Sequence, residues 1–176
     1  MLVVVAMGVS GCGKSTIGSK LAAALDGDYA EGDAFHPPAN VAKMKSGQPL
    51  DDTDRQPWLE AMAAAIGRWS RQARPTVLAC SALKRAYRDI LRTGSPELRF
   101  VYLAGDKTLI AARLAARTDH FMPAALLDSQ FAALEPPGSD EAITVSIDQP
   151  PDAIVAEAVA KLACFGPRAS TRASAR

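Results

Sequence analysis

The chain has 176 residues, a formal net charge of +1 and three cysteines, Cys12, Cys80 and Cys164. That length suits one domain with its own core, and the near-neutral charge without a long basic run excludes the clustered Lys and Arg of a nucleic-acid surface. The cysteines form an odd set without CxxC spacing; neither a zinc site nor a disulfide framework is expected, and reduced thiols in the cytoplasm are the simpler reading.

The apolar run Leu2 to Met7 reads as a buried strand, too short for a membrane span or a signal h-region and without a basic residue before it. No membrane partner is expected. Directly behind it, Gly8 to Ser15 reads GVSGCGKS and matches GxxxxGK[ST], and Ile17, Leu21 and Leu25 then mark a helix from about Gly13 to Leu25. Strand, glycine-rich turn and helix together make a phosphate cradle. Gly8, Gly11 and Gly13 free the backbone, with Ser10 and Cys12 between them, to turn successive N–H groups toward phosphate oxygens. Lys14 would reach the β- and γ-phosphates, Ser15 would ligate Mg²⁺, and Thr16 would stand near the α-phosphate. Cys12 has two readings: a small residue that fits, or a thiol activated by the helix N-terminus and open to oxidation.

The rest of the chain alternates short apolar runs with helical patterns, which favours βαβ units around a parallel sheet. Strands are expected near Tyr29 and Ala30, over Thr76 to Cys80, over Arg99 to Leu103 and over Ala142 to Ile147. Trp58, Met62, Ile66 and Trp69 mark one helix face; Leu127, Phe131 and Leu134 mark another; Ile154, Val155, Ala158, Val159 and Leu162 mark the last, stopped by Gly166 and Pro167. The fold class expected is a three-layer α/β arrangement with five parallel strands. One domain should span 1–166, with a substrate-binding region over about 34–70, a lid over about 117–135 and a disordered tail over 167–176.

In such a sheet ligands bind beyond the carboxyl ends of the strands. Those positions are polar here. Asp33 is the candidate to accept the proton of an attacking hydroxyl, with a second role toward Mg²⁺; the alternative is a simple turn aspartate. His36 either pairs with a polar substrate or steadies its loop. Lys84, Arg85 and Arg88 follow the third strand, where at least one should face the cleft and suit a carboxylate. Arg113 and Arg117, four apart on one helix face, suit transferring phosphate oxygens. Asp51, Asp52 and Asp54 before Pro57 read as a helix start with Pro57 in its first turn, which leaves Arg55 as a candidate substrate clamp.

These blocks resemble the bacterial gluconate kinases, P-loop small-molecule kinases related in fold to shikimate and nucleoside monophosphate kinases. The resemblance is carried by GVSGCGKS at 8–15, GDAFHPPANVAKMKSGQPLDDTDRQPWL at 32–59, CSALKRAYRDILR at 80–92, HFMPAALLDSQFAALEPP at 120–137 and IDQP at 147–150. It implies ATP-dependent phosphorylation of D-gluconate at the 6-hydroxyl, with ATP and Mg²⁺ as cofactors. It further implies that Asp33 faces the acceptor hydroxyl and that His36, Arg55, Lys84 and Arg88 contact gluconate. Arg117 and His120 would belong to the lid, and Asp148, Gln149 and Pro150 would lie near adenine. A homodimer is compatible with it. Two departures stand out: Cys12 replaces a common Ser, and Thr118 with Asp119 precede His120 where a Gly is frequent. A kinase for another small acid or a nucleoside monophosphate is the competing enzyme reading, and a nucleotide-dependent switch without an acceptor is the competing class.

Overall fold

Val3–Met7 forms β1, and all five of its side chains are buried, as a near-continuous apolar run in a parallel sheet requires. The computed structural model describes residues 1–116 and 124–164. The expected lid residues 117–123, with Arg117 and His120, and the tail from 165 lie outside them. Four more strands follow: β2 Asp28–Glu31, β3 Thr76–Ala79, β4 Arg99–Ala104 and β5 Ile143–Ser146. Every pairing is parallel and the spatial order is β2-β3-β1-β4-β5. This is the five-stranded α/β sheet expected from the sequence.

Alternation of side chains along the strands builds two separate cores. Val4, Ala6, Val77, Val101, Leu103 and Val145 face one way, onto Ile17 and Leu21 of α1 (Lys14–Ala24) and Ile154 and Val155 of α7 (Pro151–Cys164). Val3, Val5, Met7, Leu78 and Phe100 face the other, onto Trp58, Leu59, Met62 and Ile66 of α3 (Asp52–Trp69) and Leu91 of α4 (Arg85–Arg92). Each fully buried Leu, Ile or Phe among these contributes roughly 1.5–3 kcal/mol. Helices α5 (Lys107–Ala115) and α6 (Ala124–Ala133) close the first face, where Ile110 and Leu127 join its core.

One local reading is corrected, and one stretch carries an element that the sequence did not signal. The stretch 34–56 contains an eight-residue helix, α2 (Pro38–Lys45), because Pro38 stands at its first turn, where a missing N–H costs nothing. Pro57 lies in the second turn of α3, not the first. The helix starts earlier, at a capping box in which Asp51 accepts the Asp54 N–H and Asp54 accepts the Asp51 N–H, each at 2.9 Å. No described helix is long and apolar enough to cross a membrane.

Candidate active site

The carboxyl ends of β1, β2 and β3 converge on one edge, and β1 runs there straight into the glycine-rich loop. Gly8, Gly11 and Gly13 have φ of +146°, +84° and +98°, the left-handed region closed to most side chains. At Gly8 a Cβ would also stand 2.8 Å from the Cys12 Sγ and 3.0 Å from the Leu103 carbonyl oxygen. The Gly8 N–H donates to the Ser81 carbonyl at 3.2 Å, which ties the loop to the exit of β3. Helix α1 then begins at Lys14 without a side-chain cap. An uncapped N-terminus at the end of a loop of left-handed glycines is the arrangement that receives an anion. In this state the Lys14 Nζ donates to the Val9 carbonyl at 3.0 Å.

Beside the loop lies a cavity of about 150 Å³, lined by Gly11, Cys12, Gly13, Thr16 and Ile17 on one side and by Arg113, Gln149, Pro151 and Ile154 on the other. Arg113 is held there by a 2.7 Å bond to the Ile147 carbonyl. Asp148 and Pro150, expected at the adenine, are exposed beside this cavity. Ser15 is exposed at the loop, near Tyr29, whose hydroxyl donates to Glu31. Cys12 is 1% exposed. Burial pushes its thiol above the usual range, and the opposing pull of Lys14 does not reverse that, which favours the reading of Cys12 as a small residue that fits over that of an activated thiol.

Asp33 sits in a 3₁₀ turn, Gly32–Phe35, at the end of β2, and is exposed. That turn is anchored from α3: the Trp58 indole N–H donates to the Gly32 carbonyl at 2.7 Å, and the His36 ring stacks on Trp58 with centroids 4.4 Å apart and planes 9° off parallel. Burial lowers the His36 pKa, with Arg55 adding to the effect and Asp33 opposing it. Asn40, 4% exposed, bonds the Asp54 carbonyl at 2.7 Å and lies 3.5 Å from His36 Nδ1.

Lys84 and Arg55 come together around Asp52. Lys84 Nζ reaches both carboxylate oxygens at 2.9 and 2.8 Å, the Tyr87 hydroxyl donates to the same carboxylate, and Arg55 lies 3.8 Å away. These contacts hold the Asp52 carboxyl below the usual range, Lys84 first, and hold the Lys84 ammonium above its own.

Arg88 is elsewhere, and its expected role as a substrate contact is corrected. Its side chain is 1% exposed; Nε and Nη2 bond Glu141 at 2.7 and 3.1 Å, and Nη1 bonds the carbonyls of Ala82 and Leu83 at 3.1 and 3.0 Å. Ala82 has φ of +44°, a conformation that costs a residue with a Cβ about 1–2 kcal/mol. The guanidinium thus clamps the strained backbone that leads into Lys84. Sequence reading missed Tyr29, Trp58, Asn40, Tyr87 and Gln130 at this edge; the last meets Ser10 from 120 positions away, and no local pattern could have signalled it.

A parallel sheet ordered 2-3-1-4-5, with the phosphate loop behind its central strand and polar side chains at the strand ends, defines a P-loop kinase. Residues 3–137 match a family model described as an AAA domain. Shikimate kinase from Aquifex aeolicus shares the fold, with a TM-score of 0.60 over 93% of this chain and 96% of that one, at 16% identity. The thermoresistant gluconokinase of Escherichia coli K12 is 46% identical over 157 residues, 88% of this chain and 90% of that protein. A gluconokinase from Sinorhizobium meliloti superposes with a TM-score of 0.81 at 48% identity over 92% and 91% of the two chains. The chain belongs to the gluconokinase family.

Proposed function

We propose that the protein transfers the γ-phosphoryl group of ATP to the 6-hydroxyl of D-gluconate, giving 6-phospho-D-gluconate and ADP. The observation that carries this reading is the meeting, at one edge of the sheet, of the phosphate loop with the acceptor-type groups Asp33, His36, Arg55 and Lys84. Family membership supports the same acceptor. Gluconate is a monocarboxylate on a polyol, and its site needs cations at one end and groups that donate and accept hydrogen bonds along the other. Arg55 and Lys84 supply the first; Asp33 and His36 supply the second.

In the proposed step the 6-hydroxyl oxygen bonds to the γ-phosphorus as the bond to the β,γ-bridging oxygen breaks, and the hydroxyl proton passes to the Asp33 carboxylate. Lys14 leaves the Val9 carbonyl to bind the β- and γ-phosphates, the loop N–H groups bind the remaining oxygens, and Arg113 and Gln149 flank the nucleotide. Ser15 and Asp33 would hold Mg²⁺, which neutralises phosphate charge when bound. The donor set fits that ion. Ser15 and Asp33 are both exposed at the phosphate-loop edge, and Mg²⁺ characteristically relies on one or two carboxylates plus substrate phosphates rather than on an all-protein cage.

A coupled ADP-release assay over gluconate, other sugar acids, shikimate and nucleoside monophosphates tests the assignment. Gluconate should give the highest kcat/KM; release with another acceptor and none with gluconate overturns it.

A further inference from the structure

Gln130 joins two parts of the molecule that the chemistry must bring together. Its Oε1 accepts the Ser10 N–H at 2.6 Å, and its Nε2 donates to the Ser10 Oγ at 2.9 Å. Ser10 is the third residue of the phosphate loop, and its N–H is a donor that a bound polyphosphate would compete for. Five residues further on, the same segment reaches the acceptor side. The Glu135 N–H donates to the Leu83 carbonyl at 2.9 Å, and the Glu135 carboxylate accepts the Arg85 N–H at 2.6 Å. Leu83 and Arg85 are the two neighbours of Lys84.

The connection between these anchors is short and stiff. It is helical to Ala133, closes with a turn in which the Leu134 N–H meets the Phe131 carbonyl at 3.3 Å, and packs Phe131 and Leu134 against the first core. A phosphate oxygen is a stronger acceptor for an N–H than a neutral amide. Filling the loop therefore displaces or turns the Gln130 amide, and a segment without slack passes that movement to the backbone on either side of Lys84.

We propose that Gln130 is a positioning residue that couples occupation of the phosphate loop to the aim of Lys84, with residues 130–135 as the link. The inference rests on the reading of Lys84 as an acceptor-side cation. It predicts that nucleotide and gluconate strengthen each other's binding, by the same factor in both directions.

Calorimetry with a non-hydrolysable ATP analogue and gluconate, each titrated with and without the other, measures that factor. For the wild-type protein it should be about fivefold or more, and in Gln130→Leu it should fall to near one while gluconate alone binds within about twofold of wild type. Gln130→Glu keeps an acceptor for the Ser10 N–H but sets a negative charge against the phosphates, and should weaken the analogue by about tenfold or more. Glu135→Ala, which removes the bond to the Arg85 N–H and keeps the backbone bond to Leu83, should weaken the coupling without abolishing it. A merely structural role would lower the unfolding temperature of these variants and leave the factor intact. Gluconate that binds the wild type without coupling, or coupling that survives in Gln130→Leu, overturns the inference alone; gluconate that binds in neither condition overturns the acceptor reading with it.

Discussion

Lys84 donates to both carboxylate oxygens of Asp52, at 2.9 and 2.8 Å, so that the cation proposed to meet the acceptor is already paired within the chain. With Arg55 3.8 Å from the same carboxylate, the group carries two positive charges and one negative. That balance suits a monoanion. An entering carboxylate must draw Lys84 away from Asp52, and the exposed pair is weak enough to allow it.

Asp52→Asn removes the competitor and leaves both cations. KM for gluconate should fall by up to about fivefold with kcat little changed, because an exposed ion pair resists by no more than that. A rise in KM would show instead that Asp52 holds Lys84 in its productive place.

Among the described residues the Lys14 side chain bonds the Val9 carbonyl, and its removal should spare the fold. Lys14→Ala is expected to lower kcat by a factor on the order of 10³, the scale on which single transition-state donors count, with an unchanged circular dichroism spectrum. Asp33→Asn should lower kcat far more than it weakens ATP binding; the reverse pattern would assign Asp33 to the nucleotide or the metal alone.

How much of this was legible beforehand follows from where the determining contacts lie along the chain. β1, the phosphate loop and α1 are contiguous, and apolar runs followed by helical periodicity located all five strands. Helix α2 was hidden because Pro37 and Pro38 resemble breakers until one of them is seen at a helix start. Arg88 and Lys84 looked equivalent in sequence. Only the packing of α4, which turns one inward to Glu141 and leaves the other at the edge, separates them. Trp58 read as core, and it is core, yet its polar edge and its ring face also hold Gly32 and His36.

His36 gives the site a pH signature. Burial disfavours its charged form, so the folded pKa lies below the ordinary value near 6.5. The unfolded chain then binds more protons in the window beneath that value, and stability present above it is lost as pH falls through the folded pKa. The sequence holds two histidines. Proton NMR should show one imidazole titrating below about 6.5 that disappears in His36→Gln. Trp58 fluorescence should drop over the same range, since a protonated imidazole stacked on the indole quenches it. A midpoint at or above the ordinary value would contradict the burial.

Glu141 and Arg88 should govern acid stability. Arg88 first, then Arg92, pulls the Glu141 carboxyl down to about 2. A depressed carboxylate contributes stability above its unfolded pKa near 4.5, and that contribution is lost as pH falls from there toward the folded value. Glu141→Gln leaves the buried Arg88 cation without a counter-charge and should cost about 3–5 kcal/mol in urea unfolding at neutral pH, with a flatter acid limb. Gluconate KM should move little if Arg88 is a clamp on Ala82 and Leu83. A large KM effect without loss of stability would return Arg88 to the substrate.

The thiols separate the two readings of Cys12. Reactivity requires an accessible thiolate; Cys12 and Cys80 are buried, and burial raises both, Cys80 to about 12. Cys164 is exposed. A thiol reagent at neutral pH should therefore label one cysteine quickly in the folded protein and all three after denaturation, and Cys164→Ser should abolish the fast phase. Activity should survive the fast labelling, because Cys164 ends α7 while the phosphate loop follows β1. Rapid inactivation that ATP prevents would mean that the loop opens far enough to expose Cys12, and the close approach of its sulfur to Gly8 would then be a feature of the closed loop only.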